Sequence, residues 1–235
     1  MIRHEFPVRF EAVLFDLHGA LFDIVPDVAA ALNATLHDLG RPMIAEDRIR
    51  GWMGGGARAL VRHALSLLDE IPGPADLEGA LVRFRAHAVR IAGTRSAFKP
   101  GARETLQALR ARQVPMGVLS CEDGAYADAL LRAHRVAHLF DVAVHADTLS
   151  EAAPAPIAVR HCLRELRTVA PRVVLVAGSA LGIAAARNAE VPGWWVGEPM
   201  EAGAHAARAL DRIGDIVRVV HSPRGGAIER RYATA

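Results

Sequence analysis

Lysine is almost missing from this sequence: of its 28 basic residues, only Lys99 is a lysine. Any chemistry that needs a flexible ammonium therefore has one candidate. Cysteine is nearly as scarce, with Cys121 and Cys162 alone. Two thiols without a CxxC pairing make neither a disulfide framework nor a thiolate metal site. Aromatic residues amount to 5%. No apolar run approaches the roughly 20 residues a transmembrane helix needs. The longest uncharged apolar stretch, Val173 to Ala186, is broken by Gly178, Ser179 and Gly182. The 28 basic and 26 acidic residues interleave to a net charge of +2, without a run of five like charges. That pattern argues against nucleic-acid and membrane-surface partners. The first residues lack the apolar core of a secretory signal, so a soluble cytoplasmic protein is the expectation.

What is present is a chain of 235 residues, 51% apolar, long enough for one or two domains with a large core. Ala12–Phe15 is a short apolar run closed by Asp16 and reads as a buried parallel strand. Helical patterns follow from Pro26 to Leu39, Ala45 to Met53, Ala57 to Leu68 and Asp76 to Ile91, with no strand between them. Beyond Lys99-Pro100-Gly101 the pattern alternates. Helices are expected at Ala102–Arg112, Gly124–Arg135, Pro156–Arg167 and from the loop after Ala177 to Ala189. Strands are expected at Val114–Leu119, Phe140–His145, Val173–Ala177, Val191–Val196 and Ile216–Val220. Such alternation predicts an α/β fold with a parallel sheet wrapped by helices, and a helical block inserted after the first strand. Trp194 and Trp195 fall in a strand and read as packing residues.

Ligands of open α/β sheets bind beyond the carboxyl ends of the strands. Asp16, Ser120 and the turn Gly178-Ser179-Ala180 stand at three such ends. The run Phe15-Asp16-Leu17-His18-Gly19-Ala20-Leu21-Phe22-Asp23 resembles the DxDGTLxD signature of the haloacid dehalogenase superfamily. Arg50-Gly51-Trp52-Met53-Gly54-Gly55-Gly56-Ala57-Arg58 is similar to the cap segment of phosphoglycolate and related phosphosugar phosphatases. The resemblance covers nearly the whole chain. It implies a Rossmann-like core over residues 1–22 and 98–235, with a helical cap over 23–97. It further implies two-step phosphoryl transfer through an aspartyl-phosphate, with Mg²⁺ as cofactor and a small phosphorylated molecule or anion as ligand; a protein partner is the other possibility.

Carried over position by position, the resemblance makes Asp16 the nucleophile and Ser120 and Gly19 the phosphate-binding residues. Gly54, Gly55, Gly56 and Arg58 become a substrate-facing cap loop. The remaining motif positions are substituted. His18 stands where the general acid/base Asp belongs, and Ala20 where the Thr does. Ala153 stands at the motif lysine, and Ser179 at the first acid of a metal loop that also lacks its second acid and one residue of length. Asp16 is then the only metal carboxylate left, and Mg²⁺ is not expected to bind well. Lys99 lies in the linker, and Arg160 and Arg164 are the nearest candidate substitutes. The expectation is a phosphatase-family protein that has lost Mg²⁺-dependent hydrolysis. The alternatives are an active phosphoglycolate or phosphosugar phosphatase with a non-standard residue set, or a metal-independent hydrolase of the same superfamily. Cys121, next to Ser120, reads as an inert thiol.

Overall fold

The computed structural model describes residues 10–67, 73–149, 151, 153–197 and 205–221. Its centre is β1 (Ala12–Asp16), in which every residue is buried. Side chains alternate across the strand. Val13 and Phe15 join the apolar cluster on one face of the sheet, Ala12 and Leu14 the cluster on the other. A tight helical turn, Leu17–Leu21, leads to β2 (Phe22–Asp23) and then to four helices: α1 (Val25–Asp38), α2 (Glu46–Arg50), α3 (Gly56–Ser66) and α4 (Pro74–Ile91). The chain returns through β3 (Ala97–Phe98), which pairs antiparallel with β2. The core continues with α5 (Ala102–Ala111), β4 (Met116–Leu119), α6 (Gly124–Ala133), β5 (Val142–Val144) and α7 (Ile157–Glu165). It ends with β6 (Val173–Ala177), α8 (Ala180–Asn188), β7 (Gly193–Val196) and β8 (Arg208–Leu210). The sheet order is β5-β4-β1-β6-β7-β8 and its strands pair in parallel.

This is the predicted α/β architecture, with three local corrections. The segment Ile216–Val220 is not a strand. A 3₁₀ turn runs over Ile213–Arg218, and Val220 makes a single parallel bridge to Phe10. The sixth strand is instead β8, whose Arg208-Ala209-Leu210 carries little apolar signal because the first two residues are exposed at the sheet edge. Helix α2 spans only Glu46–Arg50; turns over 51–54, with Gly54 at φ +97°, end the pattern early. Leu68, the expected end of the third helix, lies outside the described residues. Trp194 and Trp195 are buried, as packing residues should be.

One side chain ties the first inserted helix to the linker that returns from the last. Asp27 on α1 is fully buried. Its Oδ2 accepts the Gly93 N–H at 2.7 Å, and its Oδ1 accepts those of Arg95 at 2.7 Å and Ser96 at 3.1 Å. A charged acceptor thus gathers three backbone donors of the returning linker. Leu32 and Leu36 of α1 share the main apolar cluster with Leu81 and Phe84 of α4.

Candidate active site

The strand order puts β4, β1 and β6 side by side, so their carboxyl ends open into one place. A cavity of about 450 Å³ lies there. Asp16, Ser120 and Ala153 line it, and so do Gly54, Gly55, Gly56 and Arg58 from the inserted block. Ser179 caps α8 from beside the floor. Its Oγ accepts the Gly182 N–H at 3.1 Å and donates its proton to Asp16 Oδ2 at 2.7 Å. A Cβ on Gly182 would stand 3.0 Å from that same oxygen, so the first turn of α8 is closed onto the Asp16 carboxylate. Ser120 Oγ accepts the Glu122 N–H at 2.9 Å.

The turn after Asp16 is fixed by a contact between two glycines. Gly19 has φ +87°, and a Cβ on Gly178 would meet the Gly19 carbonyl carbon at 2.5 Å. Two backbones this close admit no side chain at either position. The same turn carries His18, Gly19 and Ala20 away from the cavity. Gly19 and Ala20 line a separate hollow beside Lys99 and α5. His18 is partly buried and its Nδ1 has no hydrogen-bond partner among the described residues. Burial drives its pKa down to about 4; Asp23 opposes this, while Lys99 and Arg50 add to it. At neutral pH the imidazole is therefore uncharged.

Sequence reasoning missed three participants. Arg85 on α4 lines the cavity and reaches Asp123 with Nε at 2.7 Å and Nη2 at 3.2 Å, a bidentate tie between the inserted helices and the core. Arg58, which was expected, is ion-paired to Glu78. The second is the reach of Lys99, whose place in the linker was expected but whose nearness to His18 was not: β3 pairs with β2 and brings the Lys99 N–H onto the Leu21 carbonyl at 2.8 Å, so that its charge is felt at His18. The third is Glu122, whose backbone position was visible but whose burial was not. Arg160 and Arg164 are no substitutes: both lie outside the lining, and Arg160 points to the Asn188 carbonyl. Cys121 lines the cavity as a thiol. Burial, then the charges of Asp16 and Glu122, push its pKa up to about 12.

Glu122 is buried, and burial followed by the charges of Asp123 and Asp16 raises its pKa to about 7 from 4.5. The folded chain thus keeps this proton better than the unfolded one. The stability it contributes is fully present below pH 4.5 and is lost as pH rises through 7. Glu122→Gln should be near neutral at pH 4.5 and stabilise by about 3 kcal/mol at pH 8.5, at roughly 1.4 kcal/mol per unit. Urea denaturation at both pH values reads this directly; a difference independent of pH would contradict it.

A family model described as haloacid dehalogenase-like hydrolase matches residues 13–196. The chain belongs to that family. Among curated relatives, a phosphoglycolate phosphatase of Colwellia psychrerythraea is 30% identical over 184 residues, covering 77% of this chain and 81% of the relative. One from Cupriavidus necator, encoded on a plasmid, is 33% identical over 181 residues, covering 77% and 78%. Among solved structures, CbbY from Rhodobacter sphaeroides in complex with phosphate superposes with TM-score 0.72 at 26% identity, over 88% of this chain and 96% of that one. A predicted phosphoglycolate phosphatase from Haemophilus somnus shares the fold at TM-score 0.81 and 22% identity, over 89% and 97%. Phosphatases of this family generally use Mg²⁺. Among the described residues, no group of three or more His, Cys, Asp or Glu side chains could hold a metal.

Proposed function

We propose that this chain keeps the scaffold of a phosphoglycolate phosphatase-like hydrolase without its Mg²⁺-dependent phosphomonoesterase activity. The observation that carries the reading is the Ser179 hydroxyl on Asp16 Oδ2 at 2.7 Å. At the place where the family resemblance puts a metal-loop acid, an uncharged donor occupies the carboxylate oxygen a cation would need. Mg²⁺ demands near-octahedral oxygen ligands at about 2.0–2.1 Å, and the residues here do not supply them.

Electrostatics supports the same reading. A phosphate dianion 4 Å from the Asp16 carboxylate is repelled by roughly 8 kcal/mol at an effective dielectric of about 20. Ala153 lines the cavity where the resemblance places a neutralising lysine. Arg58 and Arg85 are already closed on Glu78 and Asp123. His18, neutral and outside the cavity lining, is not placed to give a proton to a leaving group.

One observation favours a second reading, an active phosphatase with a non-standard residue set: Arg58 and Arg85 do line the cavity. Phosphate release from phosphoglycolate and phosphosugars, with Mg²⁺, Zn²⁺ or EDTA, separates the two. The expected result is no metal-dependent turnover. Turnover at an ordinary rate of roughly 1–1,000 per second overturns the proposal. Its loss in Arg85→Met would then assign the activity to the arginine pair.

A further inference from the structure

A second crevice, of about 290 Å³, lies beside the cavity over Asp16 and shares only Ala57, Arg85 and Asp123 with it. It runs between the inserted helices α1 and α4 and the start of α6 in the core. Val28, Phe84, Ala88 and Val89 make its apolar wall. Glu122 lines this crevice and not the cavity over Asp16.

Glu122 is 8% exposed, yet only its backbone is tied down. Its N–H donates to Ser120 Oγ at 2.9 Å and its carbonyl accepts the Ala146 N–H at 3.1 Å. Among the described residues nothing bonds to the carboxyl oxygens and no cation stands within ion-pair reach. The charges felt there, Asp123 and Asp16, are both negative, and with burial they hold the pKa up. The oxygens are not sealed away, as the Tyr126 hydroxyl of the same wall is. A buried carboxyl that meets a cavity without a partner has an unmet need for donors.

The other charged groups around the crevice do not meet that need. Arg85 on α4 is closed on Asp123 through Nε at 2.7 Å and Nη2 at 3.2 Å. Asp147, which is exposed, accepts the Gly124 N–H with Oδ1 at 2.9 Å. That bond occupies one of the first N–H groups of α6, which would otherwise attract an anion. Asp27 of α1, whose charge is felt at Tyr126, is held by the linker. The crevice is therefore acidic, and its one deeply buried carboxyl lacks a counter-charge.

We propose that this crevice binds a small organic cation of the amidinium kind, its paired N–H donors on the two Glu122 oxygens and its apolar body against Phe84, Ala88 and Val89. A planar fork of donors matches a carboxylate with both oxygens open, and the volume is that of a small site for a compact ligand. The site draws on neither Asp16 nor Ser179, so it stands whether or not phosphomonoester hydrolysis is retained.

The probes are benzamidine, benzamide, acetamidine, benzoate and inorganic phosphate, titrated into the full chain by calorimetry. Benzamidine should bind at least about tenfold tighter than its neutral isostere benzamide, as a charge-assisted contact predicts. It should exceed acetamidine, which lacks the ring, by a similar factor, while benzoate should not bind. At pH 6 Glu122 must release its proton to accept the cation. Binding should therefore liberate close to one proton there and be about tenfold tighter at pH 8, as a pKa of about 7 dictates. Glu122→Gln should erase the preference over benzamide, the proton release and the pH dependence together, while Asp16→Asn should leave the preference in place. Ala125→Trp, which fills the crevice from an exposed position on α6, should abolish binding and serves if Glu122→Gln does not fold. Benzamidine no tighter than benzamide overturns the proposal, as does tighter binding of benzoate or phosphate. So does a preference that survives Glu122→Gln or falls with Asp16→Asn, and so does the absence of binding heat at millimolar benzamidine.

Discussion

Rebuilding the lost charges together should raise phosphomonoester hydrolysis by about 10³-fold or more, while each replacement made alone should change it by less than about tenfold. The full set is His18→Asp, Ala153→Lys and a loop after β6 rebuilt with both acids and the missing residue. The structure explains the expected non-additivity. His18→Asp alone adds a negative charge beside Asp23, outside the cavity lining, and brings no cation to the phosphate. Ala153→Lys alone puts an ammonium in the cavity but leaves Asp16 Oδ2 bonded to Ser179. Ser179→Asp alone breaks that bond and sets two carboxylates against each other without a metal between them. Only the combination supplies a cation for the phosphate and oxygen ligands for Mg²⁺, and phosphoryl transfer depends on that neutralisation more than on any one group. The comparison is made as phosphate release with Mg²⁺, single variants beside the full set. A folded full variant that stays at background would show that the loss of activity lies elsewhere in the chain.

Asp27→Ala should cost about 3–5 kcal/mol of stability, as much as truncating a large core side chain. Hydrogen bonds to a charged group contribute about 1.5–3 kcal/mol each, and this carboxylate accepts three, from Gly93, Arg95 and Ser96. Removing it leaves three backbone donors in a part-buried linker without their acceptor. Asp27→Asn keeps one acceptor oxygen and should cost clearly less. Urea unfolding reads both, and a loss below about 1 kcal/mol in the alanine variant would mean that water replaces the carboxylate. Because the linker carries the inserted helices back to β3, the alanine variant should also unfold them first, visible as faster amide exchange in α4 than in β1.

The strands at the centre of the sheet were legible in the sequence because both their faces are buried. Ala12–Asp16 and Val173–Ala177 show unbroken apolar runs for that reason. At the sheet edge the signal fails. In β8 only Leu210 is buried, so a nearby apolar segment, Ile216–Val220, looked more like a strand than the strand itself. The convergence of Asp16, Ser120 and Ala153 was readable because parallel strands place their ends along one edge, whereas the glycine loop before α3 stands at no strand end and was placed there only by the family resemblance. The direction of a side chain at that edge was not readable. His18 and Gly19 sit two and three residues past Asp16, yet the turn takes them out of the cavity, since Gly19 at φ +87° reverses the chain against Gly178. Arg85 was illegible for another reason. Its meaning comes from Asp123, 38 residues away, and nothing local marks the pair.

The scarcity of lysine has a practical consequence once its position is known. Lys99 follows β3 directly, where the chain leaves the inserted helices and re-enters the core, and its ammonium lies near enough to shift His18. An acylating reagent would therefore find a single lysine side chain, and that one sits beside the joint between the two halves of the molecule. A fluorophore coupled there would report rotation of the helical block against the sheet, without a cysteine having to be engineered, because both native thiols, with pKa values near 12, would stay silent toward alkylating dyes.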